Sequence, residues 1–181
     1  FFFFFVIEMM RIRDITATRA MLNLMNSVHF DKKKYNFLHE AIETEDIDLV
    51  HFILKQYGKH FFPFTDQQDA NIAHIAAGQY HAEMINLIHE QFGIDCFNTP
   101  DAQGKLAIHE ARDLDVIIAL LPLTQNMNTQ DNMGSSMLHG LMSIDRDLEY
   151  WEQLLPYLTK CNVNFSLLNH EKNTPLHIAL D

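Results

Sequence analysis

The chain has 181 residues, of which 48% are apolar, enough to bury the core of one or two domains. Its formal net charge of −11 repels phosphate backbones and anionic membrane surfaces, which argues against a nucleic-acid partner. No apolar run approaches the roughly 20 residues that a membrane span needs, so we expect no membrane insertion.

Residues 1–30 are predicted to contain an N-terminal helix. Ile12, Ile15, Met25 and Val28 recur at spacings that favour one helix face. We expect this helix to cap the exposed face of the structure that follows, and the alternative is the tail of a preceding domain.

The chain opens on five phenylalanines, with neither an initiator methionine nor a basic flank. We therefore interpret it as a fragment, and a signal peptide is a poor explanation of this run.

A histidine marks a pattern that recurs along the rest of the chain. In each copy an apolar residue stands directly before the histidine, and an Ala or Leu stands two positions after it. An Asp or Asn stands eight residues before the histidine. Three residues before the histidine, four of the five copies carry Asn, Ser or Thr, which are side chains that cap helix N-termini. The successive spacings are 35, 35, 30 and 38 residues. The repeat histidines are His39, His74, His109, His139 and His177.

The last copy reads Thr-Pro-Leu-His-Ile-Ala from Thr174 to Ala179. Thr174 can cap the helix, and Pro175 suits the first helical position because its missing N–H costs nothing there. This string resembles the helix-opening signature of the ankyrin repeat, and the other four copies resemble it in degraded form. The resemblance implies an all-α fold, an ankyrin-repeat solenoid of stacked helix-turn-helix units with short β-turn or hairpin loops. It also implies that each repeat histidine hydrogen-bonds loops of its own and adjacent repeats.

The resemblance covers residues 31–181 and divides them into four repeats and a truncated fifth. The predicted repeats are 31–65, 66–100, 101–130, 131–168 and 169–181. The third is about three residues shorter than the family length, and we place the deletion at 112–114, between its helices. The fourth is long, with its excess near Tyr150, which predicts an extended or displaced second helix. Because a half repeat cannot bury its own face, we expect the parent protein to continue beyond Asp181.

The sequence predicts neither an active site nor a cofactor or metal site. Stacked repeats lie about 8–10 Å apart, too far for two repeat histidines to share a zinc ion with bonds of about 2.0–2.1 Å. Cys96 and Cys161 lie two repeats apart, so we expect free thiols and a reducing, intracellular compartment such as the cytoplasm or a host-cell cytosol. The chain has no glycine-rich phosphate loop.

The concave face of the solenoid is the surface that we predict to bind a partner. It is formed by the turn tips and by the solvent-facing positions of the first helices, whose side chains are not needed for folding. In the turns these residues are Gln67, Gln68, Ala70, Ala102, Gln103, Lys105, Asn132, Met133 and Ser135. In the first helices they are Glu40, Ile75, Gln79, Glu110 and Ser143. Tyr150 and Trp151 are a second candidate, because aromatic residues often form interface hot spots, although Trp more often completes a core.

Three functions remain open. The first is a non-enzymatic, monomeric module that binds a protein partner through the concave face. Its unequal repeats and its acidic, Asn-, Ile- and His-rich composition resemble the ankyrin effectors that intracellular bacteria secrete into host cells. The second is the targeting or substrate-recruitment arm of a larger enzyme whose catalytic domain lies outside this fragment. The third is a structural spacer without a partner on this segment.

Overall fold

The structure is a computed structural model that describes residues 16, 38, 41–42, 46–57, 65–66, 68–79 and 82–180. Eight α-helices have both bounds within this described part. They are α1 (Ile47–Tyr57), α2 (Ile72–Gly78), α3 (Ala82–Phe92), α4 (Ala107–Glu110), α5 (Leu114–Leu120), α6 (Met137–Met142), α7 (Leu148–Lys160) and α8 (Pro175–Leu180). Short 3-10 helices follow α3 at Asp95–Phe97 and α5 at Leu121–Leu123. The described residues form no β-strand, and their isolated β-bridge pairs Thr65 with Asn71.

The helices pack in two layers. One layer, which we call the first-helix layer, consists of α2, α4, α6 and α8, each packed on the next. The other, which we call the outer layer, consists of α1, α3, α5 and α7. We call the pairs α2–α3, α4–α5 and α6–α7 units two, three and four; α1 belongs to unit one and α8 opens unit five. Buried apolar side chains from both layers form one hydrophobic cluster. No unit therefore buries its apolar residues by itself, which is the property that stacked repeats require.

Polar side chains begin several of the helices. The side-chain oxygen of Asn71 accepts a hydrogen bond from the main-chain N–H of Ala73 at 2.8 Å. Asp113 begins α5 and Asp147 begins α7 in the same way, each accepting main-chain N–H groups of the first turn. Thr174 precedes α8, and its side-chain oxygen accepts the main-chain N–H of His177 at 3.3 Å. Pro175 is the first residue of that helix. The sequence-predicted capping at Asn71 and Thr174 is confirmed, and it fixes the point at which each chain segment enters the first-helix layer.

Unit three is shortened and unit four is extended. Helix α4 has four residues, whereas the equivalent helix α2 has seven. The chain leaves α4 at Ala111, whose backbone is extended (φ −67°, ψ 133°), so the interruption falls between the helices, as the sequence predicts. Helix α7 has 13 residues and buries Leu154 and Leu158, which confirms the extended second helix of unit four.

The apolar residue before each repeat histidine is buried in units one to four. Leu38 and Leu138 are 0% exposed and Ile108 is 2% exposed, whereas Leu176 is 61% exposed. Leu176 differs because α8 packs on α6 and no other described helix covers its far side. Among the described residues, no helix combines the length and apolar character needed to cross a membrane. The predicted N-terminal helix lies outside the described residues apart from Thr16, and so do His39, Glu40 and Gln67.

Candidate functional site

The turns that precede the first helices share one hydrogen-bonding pattern. Oδ1 of the opening Asp or Asn accepts the main-chain N–H groups two and four residues later, at 2.8–3.0 Å. The opening residues are Asp66, Asp101, Asp131 and Asn169. This explains why an acid or its amide recurs eight residues before the histidine, since a short side-chain acceptor folds the turn locally. The Oδ1 atom of each opening residue is therefore engaged in hydrogen bonds within its own turn.

Successive turns are joined by main-chain hydrogen bonds. The N–H of Ala102 donates to the carbonyl of Gln68 at 2.8 Å, and the N–H of Asn132 donates to the carbonyl of Gln103 at 2.8 Å. The next turn continues the series, because His170 N–H donates to the Met133 carbonyl at 3.0 Å. The side chains of these turn residues are therefore held at a regular spacing along one edge of the stack.

The repeat histidines hydrogen-bond loops of their own and of adjacent repeats, as the resemblance implies. His74 and His139 reach the turn of the next repeat, whereas His109 reaches Thr129, at the end of its own repeat. Nδ1 of His74, His109 and His139 accepts a main-chain N–H three residues earlier, at 3.0–3.2 Å. This places the proton on Nε2, which donates to a carbonyl further along the chain. The acceptors are Lys105 for His74, Thr129 for His109 and Asn173 for His139, at 2.9, 3.1 and 3.0 Å. These imidazoles are structural links.

A groove of about 400 Å³ lies between the first helices and turns of units two and three. Seven of the sequence-predicted partner residues line it. They are Gln68, Ala70, Ile75, Gln79, Gln103, Lys105 and Glu110. We call this set the amide groove, because it carries three glutamine side chains. Lys105 Nζ and Glu110 Oε1 form an ion pair of 2.9 Å within it, which neutralises the two charges.

A second groove, of about 300 Å³, continues along the same face between units three and four. Lys105 borders both grooves, and the predicted residues Ser135 and Ser143 line the second. The repeat pattern does not predict Arg112, which also lines this space. We call Arg112, Ser135, Gly140, Ser143 and Ile178 the arginine groove. The two grooves form a continuous surface across the first-helix layer.

The aromatic pair of α7 lies apart from the amide groove. Tyr150 and Trp151 are half-buried, pack against the core, and contact each other edge to face with ring centroids 5.5 Å apart. The Tyr150 hydroxyl donates to the Arg112 carbonyl at 3.1 Å, and the Arg146 guanidinium lies 5.0 Å from the Tyr150 ring centroid. Burial raises the pKa of Tyr150 above its ordinary value. Trp151 borders a separate cavity of about 380 Å³ beside α8.

The remaining predicted residues lie at the turn tips. Ala102 and Asn132 are exposed, but their main-chain N–H groups belong to the inter-unit series, and the Asn132 amide also donates to the Ala102 carbonyl at 3.0 Å. Met133 is 63% exposed, so its side chain offers apolar surface beside the grooves.

A comparison with solved structures finds the crystal structure of an ankyrin repeat protein. The match has a TM-score of 0.75 and covers 97% of this chain and 89% of the other, at 15% sequence identity. The chain has the ankyrin-repeat fold. No family model and no curated protein matches the sequence.

Among the described residues, no group of three or more His, Cys, Asp and Glu side chains could hold a metal ion. Cys96 is buried, and burial raises the pKa of its thiol to about 12, so it stays protonated at neutral pH. Burial also lowers the pKa of His109. The titratable groups near the ankyrin turns therefore serve the fold, and the exposed side chains of the grooves are those free to bind.

Proposed function

We propose that this protein is a non-enzymatic interaction module that binds a partner protein through the concave face of its ankyrin units. The observation that carries the proposal is the amide groove, where seven residues predicted from their repeat positions line one space. The turn hydrogen bonds use the main-chain N–H groups of Gln68 and Gln103 and leave their side chains available for a partner. A partner can therefore be recognised at little cost to the fold.

The chemistry of the amide groove suits a protein segment. Within the described part of the chain, no hydrogen bond engages the side chains of Gln68, Gln79 and Gln103, which leaves their donors and acceptors free for main-chain peptide groups. Ile75 is partly buried and contributes apolar surface to the groove. Because Lys105 and Glu110 pair with each other, this part of the face carries little net charge. An uncharged polar peptide segment is the complement of such a surface.

Affinity capture with matched variants tests the proposal. One variant carries Gln68→Lys, Gln103→Lys and Met133→Lys on the concave face. The control carries Asn86→Lys, Gln91→Lys and Leu155→Lys, all exposed positions of α3 and α7 in the outer layer. A partner retained by the wild type and the control but lost by the first variant is the expected result. Equal retention by both variants, at equal melting temperature, would refute the concave face as the binding surface.

We further propose that the partner is a protein of a host cell and that the module acts as a monomer in a reducing compartment. The support is the resemblance of the degenerate repeats and the composition to ankyrin effectors, together with the free thiols of Cys96 and Cys161. Capture should therefore succeed from eukaryotic lysate and fail from bacterial lysate, and light scattering should give the monomer mass of about 21.1 kDa. Capture from both lysates would argue against a host-specific partner.

A further inference from the structure

Arg112 occupies a position that a small buried residue fills in unit two. Both Ala77 and Arg112 stand three residues after a repeat histidine. Ala77 lies inside α2 and is 0% exposed. In unit three the helix ends at Glu110, so Arg112 lies in the connection instead, and its side chain reaches the arginine groove. The shortening of unit three thus brings a cation to the concave face.

The surrounding structure holds this arginine in place. Its Nη1 donates to the carbonyls of His109 and Ala111, at 2.7 and 3.0 Å. Its own carbonyl accepts hydrogen bonds from Arg146 Nη2 at 3.0 Å and from the Tyr150 hydroxyl at 3.1 Å. The arginine is therefore fixed from unit three through its side chain and from unit four through its main chain.

Gly140 lies beside the guanidinium of Arg112. A Cβ atom at this position would lie 3.4 Å from Arg112 Nη2, at the edge of ordinary van der Waals contact. The equivalent positions, one residue after the repeat histidine, hold Ile75 and Glu110 in units two and three. A side chain of either size at residue 140 would crowd the groove beside Arg112.

Among the residues that the structure describes, the Arg112 charge has no carboxylate partner. Within the described residues, the one ion pair of these grooves joins Lys105 to Glu110, and no carboxylate oxygen lies within 4.0 Å of the Arg112 guanidinium. Asp131 borders the same groove, but its Oδ1 accepts two main-chain N–H groups of its own turn. With Nη1 occupied by two carbonyls, the N–H groups of Nε and Nη2 remain, and these form the edge that binds a carboxylate in a bidentate manner.

We propose that Arg112 binds the carboxylate of a single Asp or Glu in an extended partner segment that crosses the concave face. This inference rests on the proposed function. The neighbouring serines and the amide groove favour uncharged residues on either side of that acid. The net charge of −11 repels a highly acidic segment, so one carboxylate among neutral residues fits both the local and the overall charge.

Two synthetic peptides test this specificity directly. The probes are acetyl-Gln-Ser-Glu-Ser-Gln-amide and acetyl-Gln-Ser-Gln-Ser-Gln-amide, and the observable is the NMR signal of the Arg112 Nε–H group. We expect a saturable shift with the Glu peptide and an affinity at least tenfold weaker for the Gln peptide. Equal affinities would overturn the proposal. Tighter binding of inorganic phosphate than of the Glu peptide would also overturn it, by identifying a phosphate site.

Variants separate this site from the proposed function. Arg112→Gln should lose the preference for the Glu peptide, whereas Lys55→Gln, an exposed cation on α1, should keep it. Ser143→Asp retains Arg112 but adds a carboxylate to the groove, and should also reduce Glu-peptide binding at least fivefold. If both groove variants keep the preference, the Arg112 site is refuted. Binding of a partner through the concave face is tested separately, by the capture experiment with the variant at Gln68, Gln103 and Met133.

Discussion

The imidazole of His74 links two units of the stack, with Nε2 lying 2.9 Å from the carbonyl oxygen of Lys105. Nδ1 of the same ring accepts the main-chain N–H of Asn71 at 3.2 Å, so both ring nitrogens are used in hydrogen bonds. Lys105 itself borders the amide groove. A histidine of one unit thereby fixes the backbone of a partner-facing residue in the next, which connects folding to the geometry of the binding face.

His74→Ala should destabilise the protein by about 2–4 kcal/mol. The substitution leaves the buried Asn71 N–H without its acceptor, which costs about 1–3 kcal/mol. It also removes one of the two hydrogen bonds to the Lys105 carbonyl, which costs about 0.5–1.5 kcal/mol. The control is His177→Ala, which removes the equivalent but exposed histidine of α8. It should cost about 1 kcal/mol or less. Urea unfolding of both variants provides the comparison, and similar losses for the two would mean that the link across units contributes little.

Stability should fall as the pH drops below about 6.5, the ordinary pKa of a histidine side chain. Burial lowers the pKa of folded His109 below the value of about 6.5 for an unfolded histidine, so the unfolded chain takes up a proton first. The contribution of neutral His109 is complete above that unfolded pKa and is lost as the pH falls through the folded pKa. His109→Gln should flatten this dependence in thermal unfolding, whereas His89→Gln, at an exposed position, should not. Unchanged slopes in His109→Gln would exclude His109 as the cause.

Gly104→Ala should be more destabilising than Gly93→Ala. Both glycines have positive φ angles, 76° and 77°, which cost an L-residue about 1–2 kcal/mol. A Cβ at Gly104 would also come within 2.5 Å of Asn132 Oδ1, whereas none of the atoms around Gly93 lies within 4 Å of the equivalent Cβ. We expect Gly104→Ala to cost at least about 1 kcal/mol more in equilibrium unfolding. Equal costs would show that the turn of unit four shifts to admit the methyl group.

Leu138→Ala should cost about 2–5 kcal/mol, since it removes a large side chain that is 0% exposed. Leu176 occupies the equivalent position before the repeat histidine and is 61% exposed. Leu176→Ala should therefore change stability by no more than about 0.5 kcal/mol. Melting curves of the two variants test the register of unit four, and a near-neutral Leu138→Ala would mean that this register is misassigned.

The stacking of the units could be predicted from the sequence because its determinants are local. The opening Asp folds its own turn, Asn71 caps its own helix, and the repeat histidine bonds a backbone N–H three residues away. Each interaction has a fixed sequence spacing, so recurrence of the spacing reveals the structure. Even Leu106, which cannot cap a helix through its side chain, keeps this geometry, because His109 Nδ1 accepts its main-chain N–H at 3.0 Å.

The arginine groove could not be predicted in the same way, although the sequence places the deletion of unit three correctly. The position of Arg112 depends on where α4 ends, on the space at Gly140 and on two hydrogen bonds from unit four. These contacts join residues 28–38 positions apart, through side chains that the repeat pattern does not specify. The signal present in the sequence was the replacement of the small Ala77 by an arginine at the equivalent position.

Site-specific photo-crosslinking is the most direct test of binding through the concave face. A benzophenone amino acid would replace Gln103 in the amide groove, and Gln91 on the outer helix α3 in a matched protein. After irradiation in eukaryotic lysate, we expect a defined protein adduct from position 103 and none from position 91. An adduct from position 91 alone, or from neither position, would contradict binding through the concave face.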